Sequence, residues 1–220
     1  MPEGAKMKTI IVGAGQNGVQ VFNILKHDAT IDVIGFLDDT PEKAGTTFCG
    51  RPVLGPIRLA AELFRAGRIA GAIVAIGNNT ARGRFTRNLQ EIGLTIVKAV
   101  HPHTCIDSTA TLAVGVIVEM GVMIHPEAKI GTGVFLGGSS VVAHHCAVGD
   151  FSLIGGGVIF GGDVKVGDHA TLGVGTVLQP HIRIGRNVTT GIGSAVIKDL
   201  PDNAVAVGVP AKIIRMATTT

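Results

Sequence analysis

Two short stretches of this sequence carry residue types that could do chemistry. The first, Gly13-Ala14-Gly15-Gln16-Asn17-Gly18, has the spacing Gly-x-Gly-x-x-Gly and is followed about twenty residues later by Asp38. Where such a stretch joins a strand to a helix, backbone amides can bind a phosphate and the later acid a ribose hydroxyl. A glycine turn in a glycine-rich protein has the same pattern, so the surrounding elements must decide between the two interpretations.

The second stretch is a pair of adjacent histidines, His144 and His145. An imidazole beside a cleft can serve as a general base near neutral pH. The chain has eight histidines; His169 and His181 are interpreted as exposed turn residues. Cys146 is predicted to point inward without a neighbouring base and orienting group, so no covalent acyl-enzyme is expected.

A six-residue repeat surrounds the histidine pair. From Ile106 to Val196 every sixth residue is apolar except Thr190, and glycine directly follows nine of these positions. The residue four places after each is small or β-branched. The period predicts short strands and turns, with the apolar side chain inside and glycine supplying turn dihedrals that other residues avoid. Three hexads form one triangular coil, so about five stacked coils of parallel β-helix are expected. The histidine pair then lies near the surface or a corner.

The first half alternates strands and helices, which predicts a parallel sheet with crossover helices. The predicted strands cover 8–12, 33–37, 71–76 and 94–97, and the helices 19–26, 57–66 and 80–92. Because the sheet ends near residue 97, half of a dinucleotide fold is missing, which favours a mononucleotide or nucleotide-linked sugar over NAD. The predicted fold is therefore an α/β Rossmann-like domain over residues 1–100. An all-β parallel β-helix with a short C-terminal tail follows over 101–220, and residues 99–108 form a linker.

Composition excludes several other classes of protein. The formal net charge is +3, and no basic run with interleaved aromatics supports nucleic-acid binding. No apolar run is long enough to span a membrane, and residues 1–8 show no apolar signal-peptide region. The three cysteines are widely spaced and odd in number, which favours a reducing cytoplasm over a disulfide scaffold or zinc ribbon. A cytoplasmic protein without nucleic-acid or membrane partners is expected.

In combination, these motifs resemble the bacterial sugar-nucleotide N-acetyltransferases that act on bacillosamine and perosamine precursors, with the related sialic acid O-acetyltransferases. The resemblance spans nearly the whole chain and rests on Gly13-Ala14-Gly15 with Gly18, Phe36-Leu37-Asp38-Asp39, Ala75-Ile76-Gly77-Asn78-Asn79, the segment from Ser139 to Ser152, and Gly208-Val209-Pro210-Ala211-Lys212. It implies left-handed coiling, a homotrimer with active sites in the clefts between subunits, acetyl-CoA as co-substrate, and no metal.

The resemblance also assigns residues. It implies direct acetyl transfer to the amine of a nucleotide-diphosphate sugar, of the 4-amino-4,6-dideoxy type, with His144 as general base. The implied sugar-nucleotide contacts are Gly13, Gly15, Asn17, Asp38, Asp39, Gly77 and Asn78. The implied acetyl-CoA contacts are Leu153, Gly162, Val174 and Ile192, although the family often has histidine where Leu153 stands.

One position departs from the family pattern. An acidic residue usually follows the catalytic histidine and strengthens it as a base, whereas this chain has His145 there. Asp150, one hexad beyond His144, is the substitute that the sequence offers.

Other functions remain open at this point. A sialic-acid-type O-acetyltransferase would use the same histidine on a hydroxyl acceptor, and a non-catalytic nucleotide-sensing trimer would need no base. A γ-class carbonic anhydrase would need a His-x-x-x-x-His pair converging on zinc, and neither His144 nor His145 has a partner at that spacing.

Overall fold

A computed structural model of the chain describes residues 6–217. The N-terminal residues 1–5, which belong to the segment without an apolar signal-peptide region, lie outside this range. The chain divides into two compact units between Pro102 and His103. Within residues 6–217, no helix combines the length and the apolar character that crossing a membrane requires.

The first unit is a mostly parallel sheet with helices between its strands. In chain order its elements are β1 Met7–Val12, α1 Gln16–Leu25, β2 Ile31–Leu37, β3 Thr47–Phe48, β4 Arg51–Gly55, α2 Ala60–Arg65, β5 Gly71–Val74, α3 Asn79–Ile92, β6 Thr95–Ile96 and β7 Ala99–Val100. Turns of 3-10 helix cover Pro41–Lys43 and Ile57–Leu59. The sheet order is β3-β4-β2-β1-β5-β6, and only the β3–β4 pair is antiparallel. This hairpin was not predicted from the sequence.

The centre of this sheet is fully buried, as expected for parallel strands covered on both faces. Ile10, Ile11 and Val12 of β1 and Ile73 of β5 have no exposed surface. Strands β2 and β5 flank β1 on opposite sides, and both run parallel to it. The strand order therefore reverses beside β1, which creates a topological switch point at its carboxyl end. In open α/β sheets this switch point is where ligands bind.

The second unit is a left-handed parallel β-helix. Its strands β8 to β23 are sixteen two-residue segments: Cys105–Ile106, Thr111–Leu112, Ile117–Val118, Met123–Ile124, Lys129–Ile130, Phe135–Leu136, Val141–Val142, Ala147–Val148, Leu153–Ile154, Ile159–Phe160, Lys165–Val166, Thr171–Leu172, Val177–Leu178, Arg183–Ile184, Thr189–Thr190 and Ala195–Val196. The strands from β8 to β20 each pair with the strand 18 residues further on, as Ile117 does with Phe135. The three-hexad coil predicted from the repeat is therefore confirmed, and every predicted inward residue is the second of its strand.

The glycines after the inward residues have a different cause from the predicted one. Their φ angles are not positive; instead, a Cβ on Gly149 would lie 2.6 Å from the backbone nitrogen of Asp168 in the next coil. Stacked backbone thus excludes a side chain there. The left-handed conformation occurs two residues later, at glycines and also at Glu127, His145, Asp163 and His181, whose φ lies between 57° and 64°.

Thr190, the exception in the repeat, is buried with a partner. Its hydroxyl lies 2.9 Å from that of Thr176, and its Oγ1 accepts a hydrogen bond from the backbone N–H of Gly173. A buried hydroxyl is tolerated when it is hydrogen-bonded in this way.

One prediction about a connecting segment was wrong. The residues taken as a linker, 99–108, include β7 and β8, and β8 pairs with β11 as a regular rung of the β-helix. After the last hexad the chain forms the hairpin β24 Ala204–Gly208 and β25 Ala211–Met216. Because β24 pairs in parallel with β22, the hairpin extends one sheet of the β-helix.

Candidate active site

The glycine-rich stretch leads from β1 into α1 and exposes backbone at the helix start. Gly13 has a φ of 107°, and a Cβ there would come within 2.9 Å of the carbonyl oxygen of Ala75. A Cβ on Gly18 would collide with the carbonyl of Gly13, so this glycine permits close packing of helix on strand. Gly15, in contrast, has no atom within 4 Å of its Cβ position. The start of α1 is therefore open to an anion.

Two cavities meet at this edge of the sheet. One, of about 370 Å³, is lined by Gly13, Gly15, Asn17, Asp38, Lys43 and Gly77, among others. The other, of about 380 Å³, shares Gly13 and Asp38 with it and adds Asp39. Six of the seven residues assigned to the sugar nucleotide thus line a common space. Asn78 lines neither cavity, and its side chain instead caps α3 by accepting a hydrogen bond from the backbone N–H of Ala81 at 2.8 Å.

Asp38 holds the glycine-rich stretch in place. Its Oδ2 accepts hydrogen bonds from the backbone N–H of Ala14 at 2.8 Å and from Nζ of Lys43 at 3.0 Å, and its Oδ1 from the backbone N–H of Thr40 at 2.9 Å. Burial raises the pKa of this carboxyl, but the hydrogen bonds from Thr40, Ala14 and Lys43 outweigh it and lower the pKa to about 2. Asp38 is therefore ionised at neutral pH, and its contact with a ribose remains a prediction.

Sequence reasoning missed two cations at this edge. Lys43 also donates to the carbonyl oxygen of Ala14 at 2.9 Å. Arg82 is 1% exposed and donates to the carbonyls of Ile76 at 2.9 Å and Gly77 at 3.2 Å. Burial lowers the pKa of the Arg82 guanidinium to about 10, so it stays charged. The sequence position of Arg82 could have indicated this role, because Arg82 lies in the first turn of α3, directly after the loop that it supports.

In the second unit, His144 and His145 lie on the corner between β14 and β15. Both side chains are exposed, as the repeat predicted. Their Nδ1 atoms are 3.0 Å apart, and the rings meet edge to face at 87°. Within residues 6–217, Nε2 of His144 has no hydrogen-bond partner. The geometry leaves one ring nitrogen of His144 open for chemistry.

The second histidine contacts an acid that sequence reasoning missed. Nε2 of His145 lies 3.1 Å from Oε2 of Glu127, which occupies the same corner one coil earlier. The register would have found it, because Glu127 precedes His145 by one 18-residue coil. Asp150, the substitute suggested by sequence, was a wrong choice. It lies on the next corner and accepts a hydrogen bond from the backbone N–H of Thr132 at 2.7 Å.

The residues assigned to acetyl-CoA are not gathered in one place on a single chain. Gly162 lies against His144, since a Cβ built on it would be 2.6 Å from Cε1 and Nε2 of the ring. Val174 and Ile192 are 55% and 82% exposed. They lie on a different corner, separated from His144 by the face that β11, β14, β17 and β20 form. Leu153 is half-buried in β16, on yet another face.

The remaining candidates have structural roles. His181 is exposed, as predicted, and its Nδ1 lies 3.3 Å from Oδ2 of Asp163. His169 differs from the prediction, because it is half-buried and stacks on Phe151 with ring centroids 5.6 Å apart. Cys146 is buried, and burial raises the pKa of its thiol. Among residues 6–217, no group of three His, Cys, Asp or Glu side chains could hold a metal ion.

Comparison with known proteins extends these observations. A protein-family model for the PglD N-terminal domain matches residues 8–89. No curated protein sequence matches the chain. The structure of PerB from Caulobacter crescentus, in complex with CoA and GDP-perosamine, is 32% identical with a TM-score of 0.89, covering 94% of this chain and 96% of that one. Two further structures of this perosamine N-acetyltransferase, each with a substituted histidine, match with TM-scores of 0.88.

Two other bacterial structures are similar over nearly the whole chain. The acetyltransferase domain of PglB from Neisseria gonorrhoeae FA1090, in complex with acetyl coenzyme A, is 25% identical with a TM-score of 0.88, covering 96% of this chain and 100% of that one. WeeI from Acinetobacter baumannii AYE is 20% identical with a TM-score of 0.69, covering 95% and 100%, and shares the fold.

Proposed function

This chain belongs to the bacterial sugar-nucleotide N-acetyltransferases, and we propose that its acceptor is the 4-amino group of a nucleotide-linked 4-amino-4,6-dideoxy sugar. As a member of the family it is an acetyl-CoA-dependent N-acyltransferase of amino sugars. The PerB structure, which is similar along almost the entire chain, contains CoA and GDP-perosamine. Perosamine is a sugar of the proposed class.

The open Nε2 of His144 is the observation on which the proposed mechanism rests. The neutral amine of the sugar attacks the thioester carbonyl carbon of acetyl-CoA, so that a carbon–nitrogen bond forms. Nε2 of His144 takes the proton that the amine nitrogen loses. The carbon–sulfur bond then breaks, and the leaving thiolate takes up a proton to give CoA. No covalent intermediate on the protein is required.

The first unit supplies the binding site for the nucleotide. The open backbone at Gly15 and the start of α1 offer N–H groups to the diphosphate. Lys43, which lines the same cavity, adds a positive charge beside it. Gly13, Asn17, Asp38, Asp39, Gly77 and Asn78 complete the proposed set of contacts. Asp38 and Asn78 contribute mainly by holding the backbone around the ligand, since both already accept internal hydrogen bonds.

Acetyl-CoA binding is proposed to require a homotrimer. The face between the two corners carries Met123, Ile159 and Val177, which are 42%, 46% and 46% exposed. Contact between such apolar faces on neighbouring copies would remove them from water. It would also allow one site to combine His144 and Gly162 of one subunit with Val174 and Ile192 of the next, and Leu153 would line the far end. The three cysteines are free, which fits a cytoplasmic protein.

The test is release of free thiol from acetyl-CoA in the presence of uridine-, guanosine- and thymidine-diphosphate amino sugars. Release with a 4-amino sugar, and none with the corresponding 4-hydroxy sugar, is expected. His144→Asn should lower kcat by about 10²- to 10⁴-fold, the usual contribution of a general base, while binding of both substrates stays near normal. A variant that keeps most of its turnover would contradict the role of His144. Turnover only with hydroxyl acceptors would contradict the N-acetyltransferase proposal.

A further inference from the structure

We propose that Glu127 and His145 are positioning residues that fix the tautomer of His144 and so keep its Nε2 unprotonated. This inference rests on the proposed role of His144 as the base. It concerns the position at which this chain departs from its family, where an acidic residue is replaced by His145.

The contacts form a line of three side chains. Glu127 Oε2 lies 3.1 Å from Nε2 of His145, and Nδ1 of His145 lies 3.0 Å from Nδ1 of His144. All three side chains lie on one edge of the β-helix, because Glu127 is stacked one coil below His145. The carboxylate that the family places beside the base is therefore present, but it acts through an intervening imidazole.

The donors and acceptors along this line determine the tautomers of both histidines. An ionised carboxylate only accepts hydrogen bonds, so Nε2 of His145 must carry a hydrogen to donate to Glu127. In neutral His145, Nδ1 then holds a lone pair and accepts. The matching donor is Nδ1–H of neutral His144, which leaves its Nε2 with a lone pair. This lone pair on Nε2 accepts the proton that the sugar amine loses.

The backbone around His145 holds its ring in position for this role. Its left-handed φ of 59° is a conformation that histidine adopts more readily than most residues. The backbone N–H of His145 donates to the carbonyl of Pro126 at 3.0 Å, and its carbonyl accepts from Nζ of Lys165 at 2.6 Å. Both bonds join His145 to the coils above and below, so the ring has a rigid support.

The other charged groups on this corner are engaged elsewhere. Asp163, one coil above His145, pairs with Lys165 at 2.9 Å and with His181 at 3.3 Å. Hydrogen bonds from Lys165 and His181 lower the pKa of the Asp163 carboxyl. Among the described acids of the corner, Glu127 is thus the one whose carboxylate is directed at the histidine pair.

The line of Glu127, His145 and His144, called the relay from here on, has a consequence when the amine is deprotonated. As Nε2 of His144 takes the proton, the ring becomes a cation with hydrogens on both nitrogens. Its Nδ1–H points at the lone pair of His145, whose Nε2–H points at the carboxylate of Glu127. The positive charge is stabilised along the line without any bond being broken within it. This is the function that an adjacent acid performs in the family.

The activity test compares Glu127→Gln with the wild type. A glutamine amide is neutral and can either accept from or donate to Nε2 of His145, so it neither fixes the tautomer of His144 nor stabilises the cation that forms as His144 takes the proton. We expect kcat to fall on the order of tenfold to a hundredfold, within the contribution of a general base, with KM for both substrates nearly unchanged. Asp163→Asn, on the same corner, is the matched control and should keep most of its activity. A Glu127→Gln enzyme as active as the wild type would overturn the inference.

A second pair of variants separates the relay from a merely structural effect. His145→Asp places a carboxylate directly beside Nδ1 of His144, as in the family, and should keep or raise kcat. In that background Glu127→Gln should have little further effect, because the acid no longer acts through residue 145. An equal loss in both backgrounds would contradict the relay. An inactive wild type would instead contradict the proposed function, as would a fully active His144→Asn.

The tautomer itself can be observed without turnover. Nitrogen NMR of the histidine-labelled wild type, in mildly alkaline solution, should show an unprotonated Nε2 and a protonated Nδ1 for His144. The signals are assigned by their loss in His144→Asn. Glu127→Gln should move the population toward the Nε2–H form. A wild-type His144 with its proton on Nε2 would refute the inference even if Glu127→Gln were slow.

Discussion

Gly162 lies against the imidazole of His144, one coil above it. A Cβ at Gly162 would be 2.6 Å from both Cε1 and Nε2 of the ring. The ring is therefore held in a position that only glycine at residue 162 permits, and the open nitrogen is at the point of contact.

Gly162→Ala should displace this ring and lower kcat by roughly a hundredfold, since a displacement of about 1 Å can cost that much. Steady-state kinetics of the folded variant would measure it. Gly138→Ala is the matched control, because Gly138 follows its inward residue at the same distance in the repeat and its Cβ would be 3.3 Å from the nearest atom. Unchanged kcat in Gly162→Ala would mean that the ring adopts another position during catalysis.

The hydrogen bonds that Asp38 accepts from Thr40, Ala14 and Lys43 predict acid sensitivity of the first unit. The folded-state pKa of Asp38 is about 2, below the ordinary value of 3.8, so its stabilisation is complete above pH 4 or so and is lost as pH falls through about 2. At neutral pH, Asp38→Asn should lower the free energy of unfolding by about 2 kcal/mol.

Urea unfolding followed by far-ultraviolet circular dichroism would measure this change. The α-helices α1 to α3 all belong to the first unit, so the helical signal reports on it. The difference between wild type and Asp38→Asn should shrink as pH falls toward 2. Exposed Glu91→Gln serves as control and should change little. A difference independent of pH would show that charge on Asp38 is not its cause.

Arg82→Lys should weaken sugar-nucleotide binding. Arg82 binds the carbonyls of Ile76 and Gly77 through Nη1 and the side-chain oxygen of Asn79 through Nη2, whereas a lysine has a single nitrogen and cannot make both sets of contacts. The loop beside the cavity would lose its support, so we expect KM for the sugar nucleotide to rise roughly tenfold, about the cost of one hydrogen bond from a charged donor. KM for acetyl-CoA should stay the same. Arg84→Lys, an exposed change two residues further along α3, is the control. Equal effects on both substrates would argue against this explanation.

A charge on the apolar face should prevent trimer formation. Ile159→Lys would place an ammonium group in the proposed contact, where burial without a partner is unfavourable. Sedimentation of the wild type should give a trimer and that of the variant a smaller species, with little acetyl transfer. Lys129→Glu alters charge on a different face and should leave assembly intact. A wild-type monomer with full activity would contradict the shared site.

The second unit could be predicted almost completely from sequence because its geometry repeats. Each hexad reports one inward residue, and all fifteen later positions follow from the first. Irregular elements gave no comparable signal. The β3–β4 hairpin depends on the pairing of Phe48 with Arg51, and neither residue belongs to a pattern. Strand β7 was missed because it precedes the repeat, which begins at Ile106.

The site was predicted in its residues but not in its contacts. His144, Gly13 and Gly15 belong to recognisable motifs. Glu127 belongs to none, and it becomes significant only when the 18-residue coil is used to ask which residues are stacked on His145. Arg82 and Lys43 were missed for a related reason, since contacts made through a turn or a loop leave no spacing rule in the sequence.

The corner that carries Glu127, His145, Asp163 and His181 has a consequence for how such enzymes diversify. Each of these residues has the same left-handed backbone, and each donates its backbone N–H to an oxygen of the coil before it. The four residues therefore occupy structurally equivalent positions, one in each successive coil. An acid lost from one of these positions can be regained at the equivalent position one coil below by a single substitution, with no change of loop length. The groups that take part in proton transfer can therefore change during evolution while the β-helix stays the same.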